Sequence, residues 1–170
     1  MTLDPETART VAASARKGLH ATGDARFCIP EDAKVGSPAM VYTPEGTPAF
    51  WMVPFIVEDS ACGFARVELS YEVSQIGAFG SNPKDRSSWI DATFFERPPS
   101  KVLADIQAWY LGSVLSEPVL SYDASPTKWA WRIKVEDKIE SVAFITPCGW
   151  YERSPGGEQT GREGERRHRK

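Results

Sequence analysis

The sequence predicts an α+β protein built as two helix-then-antiparallel-sheet halves and closed by a flexible charged tail. Three observations carry that reading. Apolar residues recur at helical spacing in two segments, each beside a proline-marked start. Strand-like runs follow both helices in the same order. From Ser154 onward no apolar residue is able to anchor the chain.

The first helix is predicted to start at Asp4-Pro5-Glu6, where a carboxylate caps free amides and proline occupies the first helical position. Ala8, Val11, Ala12, Ala15 and Leu19 give it a narrow face of small residues, ending near Gly18. The second starts after Pro98-Pro99, with Ser100 as cap, and ends before Pro118. Its stripe of Val102, Leu103, Ile106, Trp109, Tyr110 and Val114 is broad and aromatic, so this is expected to be the better buried helix.

After each helix comes strand, turn, strand, a Glu-Asp turn and another strand. The first copy runs Pro38–Tyr42, Pro48–Val57 and Gly63–Leu69; the second runs Pro118–Tyr122, Pro126–Val135 and Ser141–Thr146. Trp129, Trp131, Ile133 and Val135 alternate with Ala130, Arg132 and Lys134, the period of a strand with one wet face. Trp51–Val57 is apolar on both faces, and Pro54 within it points to an edge or a bulge. Residues 1–97 form the first half, with a loop excursion at 77–97; residues 98–153 form the second and 154–170 the tail. Internal duplication and an undivided α+β domain with one antiparallel sheet both fit this pattern.

Composition excludes several classes. A net charge of −3 gives the body of the protein no general attraction for nucleic acid or anionic membrane. Only the tail cations Arg166, Arg167, Arg169 and Lys170 offer such contacts, and Glu158, Glu163 and Glu165 weaken their field. No run approaches the roughly eighteen apolar residues of a membrane span, so no membrane insertion is expected. Cys28, Cys62 and Cys148 are far apart, without CxxC spacing, and no export signal opens the chain; a reducing, cytoplasmic location is expected.

No catalytic, cofactor or metal residue is assigned. Cys148, in a Pro-Cys-Gly turn, lacks a base, since the only histidines are His20, read as a helix-end charge, and His168 in the tail. The pairs Glu68 with Glu72 and Asp91 with Glu96 are read as solvated acids. Gly77–Ser81 lacks the spacing and following helix of a phosphate loop. Most tryptophans suit buried strands, and Phe79, Trp89, Trp131 and Trp150 are the candidate anchors for a protein partner.

With Trp51-Met-Val53 and Gly63-Phe-Ala-Arg-Val67 in one half and Trp129-Ala-Trp131 in the other, the helix-then-hairpin plan resembles the PepSY-like and cystatin-like families. Val67-Glu68-Leu69 stands where PepSY-like domains continue with Val-Asp-Ala, and no Thr-Gly follows it within the first half. The resemblance implies a non-catalytic module that binds or restrains another protein. The expected function is therefore a protein-binding or accessory module, part of or regulating a larger assembly, with no cofactor. Two alternatives remain. One is a small enzyme or ligand carrier with a pocket between helix 100–116 and the sheet, using Asp91, Glu68 or Tyr110. The other is an RNA-associated protein acting through the tail.

Overall fold

The computed structural model describes residues 3–21, 28–136 and 141–153. Among them are two α-helices and two antiparallel sheets, an α+β architecture. The chain divides into two compact units, Met1–Glu96 and Arg97–Lys170.

In the first unit, helix α1 (Pro5–Ala21) starts as its residues dictate. The Asp4 carboxylate accepts from the amides of Glu6 and Thr7, each at 3.1 Å, satisfying two of the donors a helix start leaves open. The Thr7 hydroxyl, with those amides, holds the Asp4 carboxyl below its ordinary value. The helix does not stop near Gly18. Open space surrounds that residue and its backbone stays helical, so one glycine costs propensity without supplying the left-handed cap that ends a helix. Ala8 and Ala12 are fully buried, and their small side chains let α1 lie close on its sheet.

That sheet contains β1 (Lys34–Val35), β2 (Ala39–Tyr42), β3 (Pro48–Val57), β4 (Ser60–Glu68), β5 (Val73–Ala78) and β6 (Ile90–Asp91). Its order is β1-β3-β4-β5, with β2 also along β3 and β6 along β4. Trp51, Val53, Phe55 and Val57 share one core with Ala8, Ala12, Cys62, Ala65 and Val67. The alternate residues Phe50, Met52 and Pro54 are buried as well, which is why β3 carries no polar alternation. Pro54 lies in this central strand, not at an edge. Its carbonyl accepts from Gly36 N at 2.8 Å, between the β1 and β2 pairings, and a strand residue's N–H points to the same side as its C=O. The missing donor therefore falls in the gap between two short partners. A register irregularity follows at Phe55/Ile56.

The 77–97 segment is more ordered than the expected loop. β5 runs to Ala78. Two short 3-10 turns follow, Arg86–Ser88 capped by Asp85 and Ala92–Phe95 capped by Asp91, with Phe94 and Phe95 buried.

In the second unit, helix α2 covers Ser100–Trp109, and Pro99, not Ser100, occupies its cap position, without a side-chain bond. The expectation that this helix is the better buried one is wrong: only Ile106 is fully buried, and Trp109 is 58% exposed. The chain leaves the helix at Tyr110, Ser113 N donates to Tyr110 O, and Gly112 adopts φ +90°. Val114 thereby falls in a strand instead of completing the helical stripe.

The second sheet comprises β7 (Val114–Leu115), β8 (Val119–Tyr122), β9 (Trp129–Glu136), β10 (Ser141–Thr146) and β11 (Gly149–Arg153). Its order is β11-β10-β9-β7, with β8 also along β9. Trp131, Ile133 and Val135 are buried on one face of β9, but Ala130 and Arg132 are buried on the other, where Lys134 is exposed. The expected wet face is thus largely covered. No helix among the described residues is long and apolar enough to cross a membrane.

Candidate functional site

Two of the four predicted anchors lie in each unit, and they differ in what they offer. Phe79 is half-buried, its ring centroid 5.5 Å from Phe64 and 6.4 Å from Phe95, so it continues an internal aromatic run. Trp89 packs against the α1 core, with the Arg86 guanidinium 5.1 Å above its ring and Arg86 in turn paired with Glu58 at 2.8 Å. Trp131 is only 8% exposed. Trp150 shares its sheet face, with Ile145 between them, but is half-buried at the edge strand.

Trp150 leads to a cluster that sequence reasoning placed in the core. Its ring meets Trp109 edge-on at 6.2 Å and Tyr110 at 6.3 Å. Beside them on the chain, Leu111 is 90% exposed and Val114 63% exposed. These three, Trp109, Leu111 and Val114, are the exposed large apolar side chains among the described residues, and all come from the short stretch that leaves α2 and enters β7. The signal that could have revealed them is Gly112, a helix stop inside what reads as a continuous stripe.

On the opposite face of β11 is a buried polar cluster. Asp123, in the turn after β8, is 3% exposed. Its N–H donates to Lys128 O at 2.9 Å, and its carbonyl accepts from Ser125 N at 2.6 Å. Its carboxylate accepts from Tyr151 Oη at 3.0 Å and from Arg153 Nη1. The Tyr151 ring also stacks on Phe144 at 5.5 Å. Burial, reinforced by the Asp123 carboxylate, pushes the Tyr151 phenol well above its ordinary value, so it remains a protonated donor.

The acids paired in the sequence are used structurally. The Glu68 carboxylate accepts from Ser74 Oγ at 2.5 Å and lies 2.8 Å from Arg66 Nε. Asp91 accepts from the amide and hydroxyl of Thr93. No group of His, Cys, Asp and Glu able to hold a metal occurs among the described residues. The His20 side chain, His168 and the cations Arg166, Arg167, Arg169 and Lys170 lie outside the described residues.

All three cysteines are free: Cys148 exposed, Cys28 half-buried with Sγ donating to Ser81 O at 3.1 Å, and Cys62 buried with Sγ donating to Phe55 O at 3.2 Å. Burial pushes the Cys62 thiol up from 9.0 to about 11. The neutral thiol is the form the fold favours, so its contribution to stability is present below 9.0 and lost as pH rises through about 11. Iodoacetamide at pH 8, read by peptide mass spectrometry, is expected to modify Cys148 at least about tenfold faster than Cys62. Equal rates would place the Cys62 thiolate in contact with solvent.

The chain matches no family model, no curated protein sequence and no solved structure.

Proposed function

We propose that this chain is a non-catalytic, protein-binding accessory module that engages its partner through Trp109, Leu111 and Val114, with Trp150 beside them. The observation that carries this reading is the exposure of three large apolar side chains, 58%, 90% and 63%, over a stretch that joins a helix to a strand. Single exposed apolar residues are commonplace on a protein surface, but a tryptophan backed edge-on by another tryptophan is the type of anchor in which binding energy concentrates. Three free cysteines support action in a reducing, cytoplasmic compartment.

The reading includes an origin by duplication of one helix-and-meander unit. Adding 80 to both members of the pair Ala39↔Met52 gives Val119↔Arg132, and the same shift takes Met40↔Trp51 to Leu120↔Trp131. It also takes Lys34↔Ile56 to Val114↔Glu136 and Val35↔Phe55 to Leu115↔Val135. Common turn chemistry explains why two meanders exist; it gives no reason for four pairings to keep one offset. A helix followed by antiparallel strands in each copy also suits the PepSY-like and cystatin-like plan, whose members restrain other proteins.

The test is recovery of partners by tagged wild-type protein from its native cells, beside Leu111→Ser and Trp109→Ser. A stoichiometric protein present with wild type and reduced at least about tenfold in both variants is the expected result. Equal recovery by all three would remove these residues from the interface. If instead the bound material is RNA and is released by salt, the tail reading replaces this one.

A further inference from the structure

The strand that carries Trp150 is held in an unequal way. β11 stands at the end of the strand order and pairs with β10, and none of its five residues is fully buried. Edge strands with a one-sided ladder belong to the low-stability end of a fold and open before its centre does. Yet both oxygens of the Asp123 carboxylate are occupied by this one strand, one by Tyr151 and one by Arg153. These bonds bridge 28 and 30 residues of chain, reaching the turn after β8 from the far side of β9 and β10. They fasten β11 beyond β10, the strand it pairs with.

Successive strand residues point to opposite faces. Tyr151 and Arg153 therefore meet Asp123 on one face while Trp150 meets Trp109 and Tyr110 on the other. We infer that Asp123 is a latch on β11, and that the latch sets whether Trp150 backs the exposed cluster at the end of α2. This rests on the binding reading for what the coupling serves: the latched strand presents a braced tryptophan pair to a partner, and an opened strand withdraws one ring of it.

The energetics favour a latch over a passive contact. Asp123 is 3% exposed, so releasing β11 strands a charge with little access to water, whereas the side chain of its partner Arg153 is one-third exposed and leaves with the strand into solvent. The cost of opening is concentrated on the carboxylate. Removing its charge should ease opening of β11 without loosening β9, which is paired on both sides.

Hydrogen exchange by mass spectrometry on wild type and Asp123→Asn tests this without any partner. The expected result is exchange about tenfold faster at 149–153, a parallel rise at the Tyr110 amide, which bonds Ile106 O at 3.0 Å, and a change within about twofold at 130–135. Tyr151→Phe keeps the ring stack on Phe144 and removes one donor; it is expected to give a smaller rise at 149–153 together with a smaller rise at the Tyr110 amide, and it decides the matter if Asp123→Asn does not fold. Acceleration spread evenly over β9, β10 and β11, or no change at β11, overturns the latch. A faster β11 with an unchanged Tyr110 amide overturns the coupling to the cluster. Failure here leaves the Trp109 and Leu111 interface to its own test, and failure of that test leaves the exchange result untouched.

Discussion

Trp131→Ala is expected to cost about 3–5 kcal/mol, whereas Trp109→Ala costs less than about 1 kcal/mol, although both sequences lose an indole. Trp131 is 8% exposed and lies opposite Leu120 on β8 and Ile145 on β10, both buried. Its removal opens a cavity between strands that a backbone ladder holds apart, so the site cannot collapse to fill it. Trp109 already places most of its surface in water, and its ring contact is with Trp150. Urea unfolding of the two variants beside wild type checks this through the shift in midpoint at constant slope. Against a usual total of about 5–15 kcal/mol, the first loss depletes the folded population and the second does not. Lost binding by a Trp131 variant would therefore report unfolding, while lost binding by a Trp109 variant reports the interface. A Trp131 variant as stable as wild type would mean that the indole does not fill the core of the second sheet.

The main strands were legible in the sequence because their signals are local. Pro48 to Val57 reads as a strand from its branched and aromatic run, and Glu58-Asp59 as its turn; β3 and the β3–β4 hairpin follow those bounds. What covers a strand is not local. Alternation along β9 predicts one dry and one wet face, yet Arg132 is buried, and nothing in its neighbours announces that. The two-residue strands β1, β6 and β7 lack length for any period to show, and they exist because longer strands offer them an edge. In α2 the apolar stripe reads on across Gly112 and so places Val114 on a helix, whereas the helix ends at Trp109 and leaves both Trp109 and Val114 exposed.

The candidate site was half legible for the same reason. Trp150 is a candidate anchor in the sequence, while Trp109 reads as part of the apolar stripe of α2 and Leu111, outside that stripe, carries no signal of its own. Asp123 reads as an ordinary turn acid in Tyr122-Asp-Ala-Ser, since such acids satisfy their own turn. Its partners are supplied by β11 after two strand reversals, and only the register of β9 on β10 and β10 on β11 brings them over it. A carboxylate whose ligands come from another hairpin leaves no spacing to recognise.

Gly63→Ala is expected to destabilise the first unit by about 3 kcal/mol, more than a single added methyl costs in most buried positions. Gly63 is buried in β4, opposite Phe55 on β3 and Ala78 on β5. A Cβ there would stand 2.5 Å from Gly77 O and 2.9 Å from two carbons of Ile29. The first of these is backbone. It can yield only if β5 moves as a strand, so relief of the clash is bought with ladder hydrogen bonds. Gly77→Ala makes the comparison exact in chemistry and different in mechanics: its Cβ would meet the outer ring atoms of Phe64 at 2.9 and 3.0 Å, and that ring can turn. A cost of about 1 kcal/mol is expected there. Urea midpoints for both variants, with hydrogen exchange over 73–78, read the difference: faster exchange in β5 for Gly63→Ala and little change for Gly77→Ala. Equal stability of the Gly63 variant and wild type would mean that β5 does not approach β4 closely at this point. Glycine at 63 is thus set by the approach of two backbones and not by a turn, since the residue stands within β4 where the register with β3 shifts beyond Phe55 and the pairing with β5 ends at Ala78.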